Sequence, residues 1–363
     1  MKAWRFYGFR DLRLDEVPMP VLRPRHVLAQ VLVVQPSVTE AQLAAGVRTL
    51  AYDKIKERLE TEAPVQLFGH EFCVRIVEVG EGVTRFKVGD RVAARAKLPC
   101  EACPLCESGR GHLCRKGPII GFQLPGCFCE YAVLPEIALT LVDDRISDNE
   151  AACLQSLSDS VASVETAELK IGNSVAILGQ GSMGLECLQV ARVSGAGRII
   201  TVDVRDEACA MSLELGADYA INATREDPVA AIRALTEGNG ADIVFECAGG
   251  SPTQGLAGIK SVTQAVDAVR SGGRIVGVSW FGSPFELDVD LLRERSLRYV
   301  FPDISTLEHL QHTVNLVASG RVRMKPTITH VLDGIENVAQ AFEITANKGK
   351  YKAINPAQVR IAI

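Results

Sequence analysis

The segment SVAILGQGSMG, residues 174–184, decides how the fold of this chain is interpreted. A strand-like run, Ser174–Leu178, leads directly into three glycines with the spacing G-x-G-x-x-G, which are Gly179, Gly181 and Gly184. The first glycine permits a tight turn, the second lets the backbone approach a pyrophosphate, and the third lets a helix pack closely on the strand. A helix that starts near Ser182 would then hold the phosphates on its N-terminal amides.

An acidic residue at the end of the next strand supports a dinucleotide site. The strand RIITVD ends at Asp203, where a carboxylate can hydrogen-bond both hydroxyls of an adenosine ribose. An ordinary glycine turn is the alternative, but the order strand, glycines, helix, strand and acid argues against it. A carboxylate here repels a 2′-phosphate, which favours NAD over NADP, although Arg205 would offset part of that repulsion. The cofactor residues predicted from this motif are Gly179, Gly181, Ser182, Met183, Gly184, Asp203 and Arg205.

On the N-terminal side of this motif, the sequence pattern changes near residue 150. Before it, β-branched runs such as Val27–Val34 and Phe72–Val92 are broken by glycine turns, which indicates a compact antiparallel β-domain. After it, strand patterns alternate with helical ones, which indicates βαβ units and a parallel sheet. The final segment mixes helices with the short strand candidates ITHVL and KAIN, and we expect it to return to the first domain.

The bulk properties indicate a protein that acts on a small molecule. A length of 363 residues favours two domains, and a net charge of -5 without a basic block argues against nucleic-acid or anionic-membrane partners. The sequence has no apolar run long enough to span a bilayer, and its N-terminus is charged where a signal peptide is apolar. We therefore expect a cytoplasmic protein with no membrane contact.

Four cysteines are concentrated in residues 100–114, CEACPLCESGRGHLC, with the spacing C-x2-C-x2-C-x7-C. Four thiolates in one loop can close a tetrahedral zinc shell with no open position, which is typical of a structural site. Iron, or His112 in place of one cysteine, are minor alternatives. A DNA-binding zinc finger would need a recognition helix and basic residues, which the flanking sequence does not supply. The predicted zinc ligands are Cys100, Cys103, Cys106 and Cys114.

Several motifs together resemble the zinc-dependent medium-chain alcohol dehydrogenases, especially their polyol and threonine dehydrogenase branch. Besides the cysteine cluster and GQGSMG, they are GHE at Gly69–Glu71, GEGV-x4-VGDRV from Gly80, and the later segments ASGRV, ITHVL and KGKYKAI. The resemblance implies an α/β fold with a GroES-like β-rich catalytic domain and an inserted doubly wound Rossmann domain, the active site lying in the cleft. The implied segments are 1–155, 156–297 and 298–363, and the implied assembly is a homodimer or homotetramer.

The resemblance also implies a catalytic metal site, but some of its ligand positions carry other residue types in this chain. His70 would be a direct zinc ligand and Glu71 a direct or nearby one. Where the family has C-x-[ST]-D-x-H-x3-G, this chain has Ser37 for the cysteine and Gln42 for the relay histidine, while Thr39 keeps the relay hydroxyl. The segment AACLQSL matches A-A-x-x-E-P-L, which puts Gln155 at the position of a glutamate ligand. A serine hydroxyl is a poor zinc ligand because it does not ionise as a thiol does.

Two hypotheses about this metal remain open at the level of sequence. In one, a metal still binds weakly through His70 and Glu71 with help from Ser37, Gln155 and water. In the other, the catalytic zinc is lost, and Thr39, His70 or Glu71 serve as acid-base and hydrogen-bonding groups in a site that keeps hydride chemistry. Because two of three ligand positions have lost their charge, the sequence favours the second hypothesis.

The resemblance implies further cofactor contacts and draws attention to one insertion. The backbone at Ala248, Gly249, Val278 and Ser279 would lie along the nicotinamide, and Lys352 matches a basic residue that contacts the cofactor phosphates in relatives. Residues 47–68 are longer than expected for the family, and their middle, YDKIKERLE, predicts a short charged helix. Such a helix would either cover the substrate pocket or form a solvated insertion.

The leading functional hypothesis is an NAD-dependent oxidoreductase that interconverts a secondary alcohol, such as a polyol, cyclitol or sugar-like substrate, and its ketone. A zinc-free reductase, a redox-neutral enzyme with bound NAD, and a weakly catalytic NAD-binding protein are the alternatives. The expected cofactors are NAD and one structural zinc.

Overall fold

The structure, a computed structural model, describes residues 1–250, 257–282 and 284–362. These residues form two compact units, each with its own core. The first unit contains residues 1–158 and 304–319 and the described chain from residue 328 onward, and the second contains the described residues of 159–303 together with 320–327. The short excursion of residues 320–327 into the second unit has no counterpart in the predicted domain boundaries.

The strands are β1 (Lys2–Gly8), β2 (Asp11–Glu16), β3 (His26–Gln35), β4 (Glu71–Val79), β5 (Arg91–Ala94), β6 (Tyr131–Pro135), β7 (Leu139–Leu141), β8 (Ser174–Leu178), β9 (Arg198–Asp203), β10 (Tyr219–Asn222), β11 (Ala241–Glu246), β12 (Val269–Gly277), β13 (Arg298–Val300), β14 (Val331–Asp333) and β15 (Gln358–Arg360).

The α-helices are α1 (Val38–Ala44), α2 (Tyr52–Glu62), α3 (Pro104–Glu107), α4 (Asp148–Ala151), α5 (Leu154–Thr166), α6 (Ser182–Val193), α7 (Asp206–Glu214), α8 (Pro228–Leu235), α9 (Lys260–Ala268), α10 (Val289–Glu294), α11 (Leu307–Ala318), α12 (Val338–Ala346) and α13 (Lys348–Tyr351). None of the helices in the described residues is long and apolar enough to cross a lipid bilayer.

A mostly antiparallel sheet forms the centre of the first unit. Its strand order is β14-β15-β3-β4-β5-β7, and β6 pairs with β3. Strand β3 is buried because its β-branched residues, including Val31 and Val34, pack into the core of this unit. The register sets Gln35 directly opposite Glu71 on β4, and Val34 opposite Val359 on β15. This register brings polar residues from three distant parts of the chain to one place.

A parallel six-stranded sheet forms the centre of the second unit. Its order is β10-β9-β8-β11-β12-β13, and every pair of neighbouring strands is parallel. The strand order reverses between β8 and β11, so the carboxyl ends of these two strands flank the crevice where such sheets bind ligands. The predicted doubly wound arrangement is therefore confirmed.

One strand prediction at the chain end is wrong. The segment KAIN, from Lys352 to Asn355, does not form a strand, and the last strand is Gln358–Arg360. Lys352 adopts a left-handed conformation with φ 54° at the end of α13, and Pro356 cannot donate a backbone hydrogen bond to a neighbouring strand. Regular pairing therefore begins only after this proline.

The insertion at residues 47–68 forms the predicted helix, α2. It is not simply solvated, because Ile55 and Leu59 are buried in the core of the first unit. Tyr52, at its start, stacks on Phe9 with ring centroids 5.0 Å apart. Arg58 donates a hydrogen bond to the backbone carbonyl of Phe122. The helix is thus an integral part of this unit.

Candidate active site and metal centre

The four clustered cysteines lie in the arrangement that a tetrahedral metal requires. Their sulfur atoms all lie within 4.8 Å of one another, and three Sγ pairs are 3.6, 3.8 and 3.9 Å apart. A tetrahedral zinc with bonds of about 2.3 Å sets its sulfur ligands about 3.8 Å apart. The thiolate donors and their spacing therefore fit a structural zinc held by Cys100, Cys103, Cys106 and Cys114.

The glycine motif forms a phosphate cradle at the carboxyl end of β8. Gly179 has φ 90°, and a Cβ atom there would lie 2.7 Å from the carbonyl oxygen of Cys247. A Cβ on Gly184 would lie 1.8 Å from the oxygen of Gly179, so only glycine lets α6 pack this closely. In the first turn of α6, the buried Oγ of Ser182 has no hydrogen-bond partner among the described residues. These features fit a dinucleotide pyrophosphate at the N-terminus of α6.

Asp203 joins the glycine loop to the end of β9. Its Oδ2 accepts a hydrogen bond from the backbone N–H of Gln180 at 2.7 Å, and its Oδ1 accepts from those of Val204 and Arg205. A carboxylate has about four acceptor positions, and these three bonds leave about one for a ribose hydroxyl. The Arg205 side chain lies 3.7 Å from both Asp203 and Glu207, and these acids offset much of its charge.

The backbone positions predicted to lie along the nicotinamide come together at the ends of β11 and β12. The backbone N–H of Gly249 donates to Ser279 Oγ at 3.0 Å, and those of Val278 and Ser279 donate to the carbonyl of Glu246. The N–H of Ala248 donates to the Glu246 carboxylate at 2.9 Å. This buried glutamate was missed at the sequence level, although an acid after the apolar run DIVF was the available signal.

In the first unit, His70 is held by a buried carboxylate. Glu40, which is fully buried on α1, accepts hydrogen bonds from the backbone N–H groups of Gly69 and Ser37 at 2.8 and 3.0 Å. The same carboxylate lies 2.5 Å from Nδ1 of His70. Because a carboxylate accepts hydrogen bonds, Nδ1 donates its proton to Glu40, and Nε2 is the ring nitrogen that faces Glu71. Glu40 therefore fixes both the orientation and the tautomer of the ring.

A second carboxylate stands on the other side of the ring. Glu71 Oε1 lies 4.0 Å from His70 Nε2, and Glu71 Oε2 accepts a hydrogen bond from Gln35 Nε2 at 2.5 Å. Gln35 is fully buried. The imidazole of His70 therefore lies between the carboxylates of Glu40 and Glu71.

Ser37 serves as the N-cap of α1. Its Oγ accepts the N–H of Glu40 at 3.1 Å, and Glu40 accepts the N–H of Ser37 in return, which completes a capping box. Thr39 and Gln42 follow on α1 and are half-buried. The Ser37 hydroxyl, which is predicted to stand at the position of the family cysteine, thus stabilises the start of α1.

The segment predicted to carry another altered ligand position lies at the start of α5. Gln155 and Ser156 are buried there, and the hydroxyl of Ser156 donates to the carbonyl of Cys153. The thiol of Cys153 accepts from the side-chain amide of Asn355 at 3.2 Å. Within the described residues, only the four-cysteine cluster brings three or more His, Cys, Asp or Glu side chains close enough to share an ion.

Two family profiles match parts of this chain. Residues 23–144 match the profile of the alcohol dehydrogenase GroES-like domain, and residues 182–302 match that of the zinc-binding dehydrogenases. An L-threonine 3-dehydrogenase from Symbiobacterium thermophilum is 30% identical over 334 residues, which are 91% of this chain and 90% of that protein.

The chain belongs to the zinc-dependent medium-chain alcohol dehydrogenase superfamily. It falls in the threonine and polyol dehydrogenase branch, and it is a dehydrogenase-type enzyme.

Solved structures of this superfamily match the whole chain. An alcohol dehydrogenase from Thermus sp. ATN1 is 27% identical, with a TM-score of 0.83 and complete coverage of both chains. A protein from Sinorhizobium meliloti 1021, assigned as a zinc-binding dehydrogenase and bound to NADP, is 26% identical, with a TM-score of 0.84 and coverage of 100% and 99%. The predicted GroES-like and Rossmann-type folds are therefore confirmed.

Two more residues of the first unit, Lys352 and Gln35, bear on the predicted site. Lys352 is exposed at the end of α13 in the first unit, and its contact with cofactor phosphates stays a prediction. Gln35, by contrast, was not identified from the sequence. The signal was available, because Gln35 ends the apolar run VLVVQ of a strand that is otherwise buried.

Proposed function

We propose that this protein interconverts a secondary alcohol, of polyol, cyclitol or sugar-like type, and its ketone, with NAD as the hydride carrier and zinc only in the cysteine cluster. Its relatives support the reaction class, since they include L-threonine 3-dehydrogenases, whose name specifies a secondary hydroxyl, and an alcohol dehydrogenase. We expect the substrate to be a small molecule. The homodimeric or homotetrameric state and the cytoplasmic location stay predictions.

The observation that carries the proposal is the position of His70 between two carboxylates. Glu40 fixes Nδ1 at 2.5 Å, and Glu71 lies 4.0 Å from Nε2. In alcohol oxidation, Nε2 accepts the hydroxyl proton as the carbinol carbon loses its hydride. In ketone reduction, the protonated ring donates that proton to the oxygen. The adjacent carboxylates stabilise the charge that the ring acquires.

The residues around His70 support loss of the catalytic metal. Zinc in this superfamily needs three protein ligands and an open position, but here a capping serine and Gln155 stand at two of the ligand positions. Neither side chain ionises, so the neutral imidazole of His70 and the carboxylate of Glu71 are the two usual zinc-donor groups that remain. A proton-bearing imidazole can take over the stabilisation of the substrate oxygen that a metal would supply.

The second unit supplies the cofactor site. When bound, NAD accepts or supplies the hydride. Gly179, Gly181, Ser182, Met183 and Gly184 form the turn and helix start that would hold its pyrophosphate. Asp203 would hold the adenosine ribose, and the charge of Arg205 is offset by two acids, which favours NAD over NADP. One relative is bound to NADP, so the preference of this chain for NAD needs an experimental test.

Metal analysis combined with a substrate panel tests the proposal. We expect about one zinc per chain and NAD-dependent turnover of at least one polyol or cyclitol. Replacement of His70 by Ala should lower kcat by about 10²- to 10⁴-fold, because the proton-transfer group is lost. His26, whose ring contacts the carbonyl of Pro24, provides a matched control, and H26A should leave kcat unchanged.

Three results would contradict parts of this proposal. Two tightly held zinc ions per chain would show that a catalytic metal remains. An active H70A variant would remove His70 from the proton pathway. Tight NAD binding without turnover of any alcohol or ketone would instead identify a cofactor-binding protein with little catalysis.

A further inference from the structure

A buried row of side-chain amides leads across three strands of the first unit to Glu71. Glu71 on β4 faces Gln35 on β3, and β15 places Gln358 beside Gln35. Gln35 Nε2 donates to Glu71 Oε2 at 2.5 Å, and Gln358 Nε2 donates to Gln35 Oε1 at 2.8 Å. Gln358 Nε2 also donates to the backbone carbonyl of Asn149 at 2.8 Å. Both glutamines are fully buried.

The backbone carbonyl of Asn149 fixes the direction of this row. A carbonyl only accepts, so the NH₂ group of Gln358 must face it, and this NH₂ group also meets the oxygen of Gln35. The side-chain NH₂ group of Asn149 donates to Oε1 of Gln358 at 2.6 Å. With its oxygen directed at Gln358, Gln35 has only its NH₂ group to present to Glu71. The orientation of both amides is therefore determined by the fold.

The energetic cost of burial explains why this orientation is kept. A buried amide without hydrogen bonds costs about 1–3 kcal/mol, so Gln35 cannot rotate without leaving both ends unmatched. The thiol of Cys153 lies 3.6 Å from Gln35 Oε1, on the side away from Glu71. Glu71 thus receives a hydrogen bond from a donor that has no freedom to turn.

We propose that Gln35 is a positioning residue, which holds the Glu71 carboxylate beside His70 through the directed row Asn149, Gln358, Gln35 and Glu71. This inference rests on the proposed function, because it assigns to Gln35 the placement of a group next to the proton-carrying imidazole. The Glu71 carboxylate is anchored through Oε2, which leaves Oε1 facing Nε2 of His70. Loss of the amide removes the hydrogen bond that orients Oε2.

Steady-state kinetics of matched variants test the role of Gln35. Gln35→Met keeps the length of the side chain but removes its polar atoms, and kcat should fall about 10- to 100-fold while the KM for NAD stays unchanged. Gln35→Glu keeps the shape but faces Glu71 with a second carboxyl group, and kcat should fall at least as far. Cys129→Ala removes another buried thiol of the same unit, which contacts the carbonyls of Gly126 and Tyr131 and neither glutamine, and this control should keep the wild-type kcat.

A thermal unfolding curve for each variant separates positioning from folding. The proposal requires the fall in kcat in Gln35→Met while the protein is still folded at the assay temperature. A variant that unfolds more easily but keeps the wild-type kcat would overturn it, since Gln35 would then be only structural.

A spectroscopic measurement distinguishes failure of this inference from failure of the proposed function. In protein labelled with ¹⁵N-glutamine, the Gln35 side-chain NH₂ signal is assigned by its loss in Gln35→Met. We expect this signal downfield of exposed glutamines and expect it to move in Glu71→Ala, whether or not any alcohol is turned over. A signal that does not respond to Glu71→Ala would show that the amide row does not act on Glu71.

Discussion

At the scale of single residues, buried carboxylates are the main electrostatic feature of both units. Glu40 is matched by two backbone N–H groups and an imidazole, so its burial is compensated. Glu246 has one carboxylate oxygen bonded to the N–H of Ala248, whereas its Oε2 has no hydrogen-bond partner among the described residues. Glu246 is therefore the less completely compensated of these two buried acids.

Titration of Glu246 should lower the free energy of unfolding as the pH rises. Burial raises the pKa of this carboxyl group, so the folded protein binds its proton more tightly than the unfolded chain does. The resulting stabilisation is present below the ordinary pKa of glutamate and is lost as the pH rises through the raised folded value. Melting temperatures of wild type and Glu246→Gln, measured across this range, should show the steeper loss in wild type. Parallel curves would contradict the expected titration.

Asp203 should control the choice of cofactor. Because hydrogen bonds to a charged group contribute about 1.5–3 kcal/mol, Asp203→Ala should weaken NAD binding by about 10- to 100-fold. NADP binding should weaken less, since the variant also removes repulsion from the 2′-phosphate. Fluorescence titration with NADH and NADPH measures both affinities. Asp290→Ala, at an exposed acid of the same unit, is the control, and an equal loss for both cofactors would argue against the ribose contact.

At the scale of elements, the sequence identified the strands and helices of the glycine motif well. Ser174–Leu178 and Arg198–Asp203 were each predicted to the residue, because continuous apolar runs end at unmistakable turn residues. The prediction of a strand at KAIN was wrong because a β-branched, apolar pattern does not specify the strand with which a segment pairs. Proline and the turn at Lys352 moved the pairing segment to Gln358–Arg360.

Helix α2 provides an element-scale prediction. Ile55 is 1% exposed and packs in the core of the first unit, so Ile55→Ala should lower the free energy of unfolding of that unit by about 2–5 kcal/mol. Lys56→Ala, on the exposed side of the same helix, should change it by less than about 0.5 kcal/mol. Chemical denaturation of both variants measures the difference. Equal stabilities would indicate that the helix is a solvated insertion.

At the scale of the whole molecule, the two units should respond to different ligands. NAD at 100 times its Kd stabilises the structure that binds it by about 2.7 kcal/mol, so amide exchange should slow most in β8, the glycine turn and α6. Zinc removal by a chelator should instead speed exchange in residues 100–114, because their fold depends on the metal. Hydrogen exchange followed by mass spectrometry resolves both segments. Uniform changes across the chain would contradict separate sites.

The sequence by itself determined the features that lie within one short segment. The glycine motif with Asp203, the four-cysteine spacing and the alternation of strands and helices were all readable, because covalent spacing places their parts together. The absence of cysteine and histidine from residues 35–46 was readable for the same reason.

Only the tertiary structure decided how the residues around His70 act together. Glu40 meets His70 from 30 residues away, and Gln358 meets Gln35 from 323 residues away. The contacts of Gln35 with Gln358 and Glu71 depend on the pairing register of β15, β3 and β4, in which a shift of one residue would turn each side chain to the other face. The physical reason is that local pattern specifies a strand but not its neighbours, and the neighbours determine which buried polar groups are satisfied.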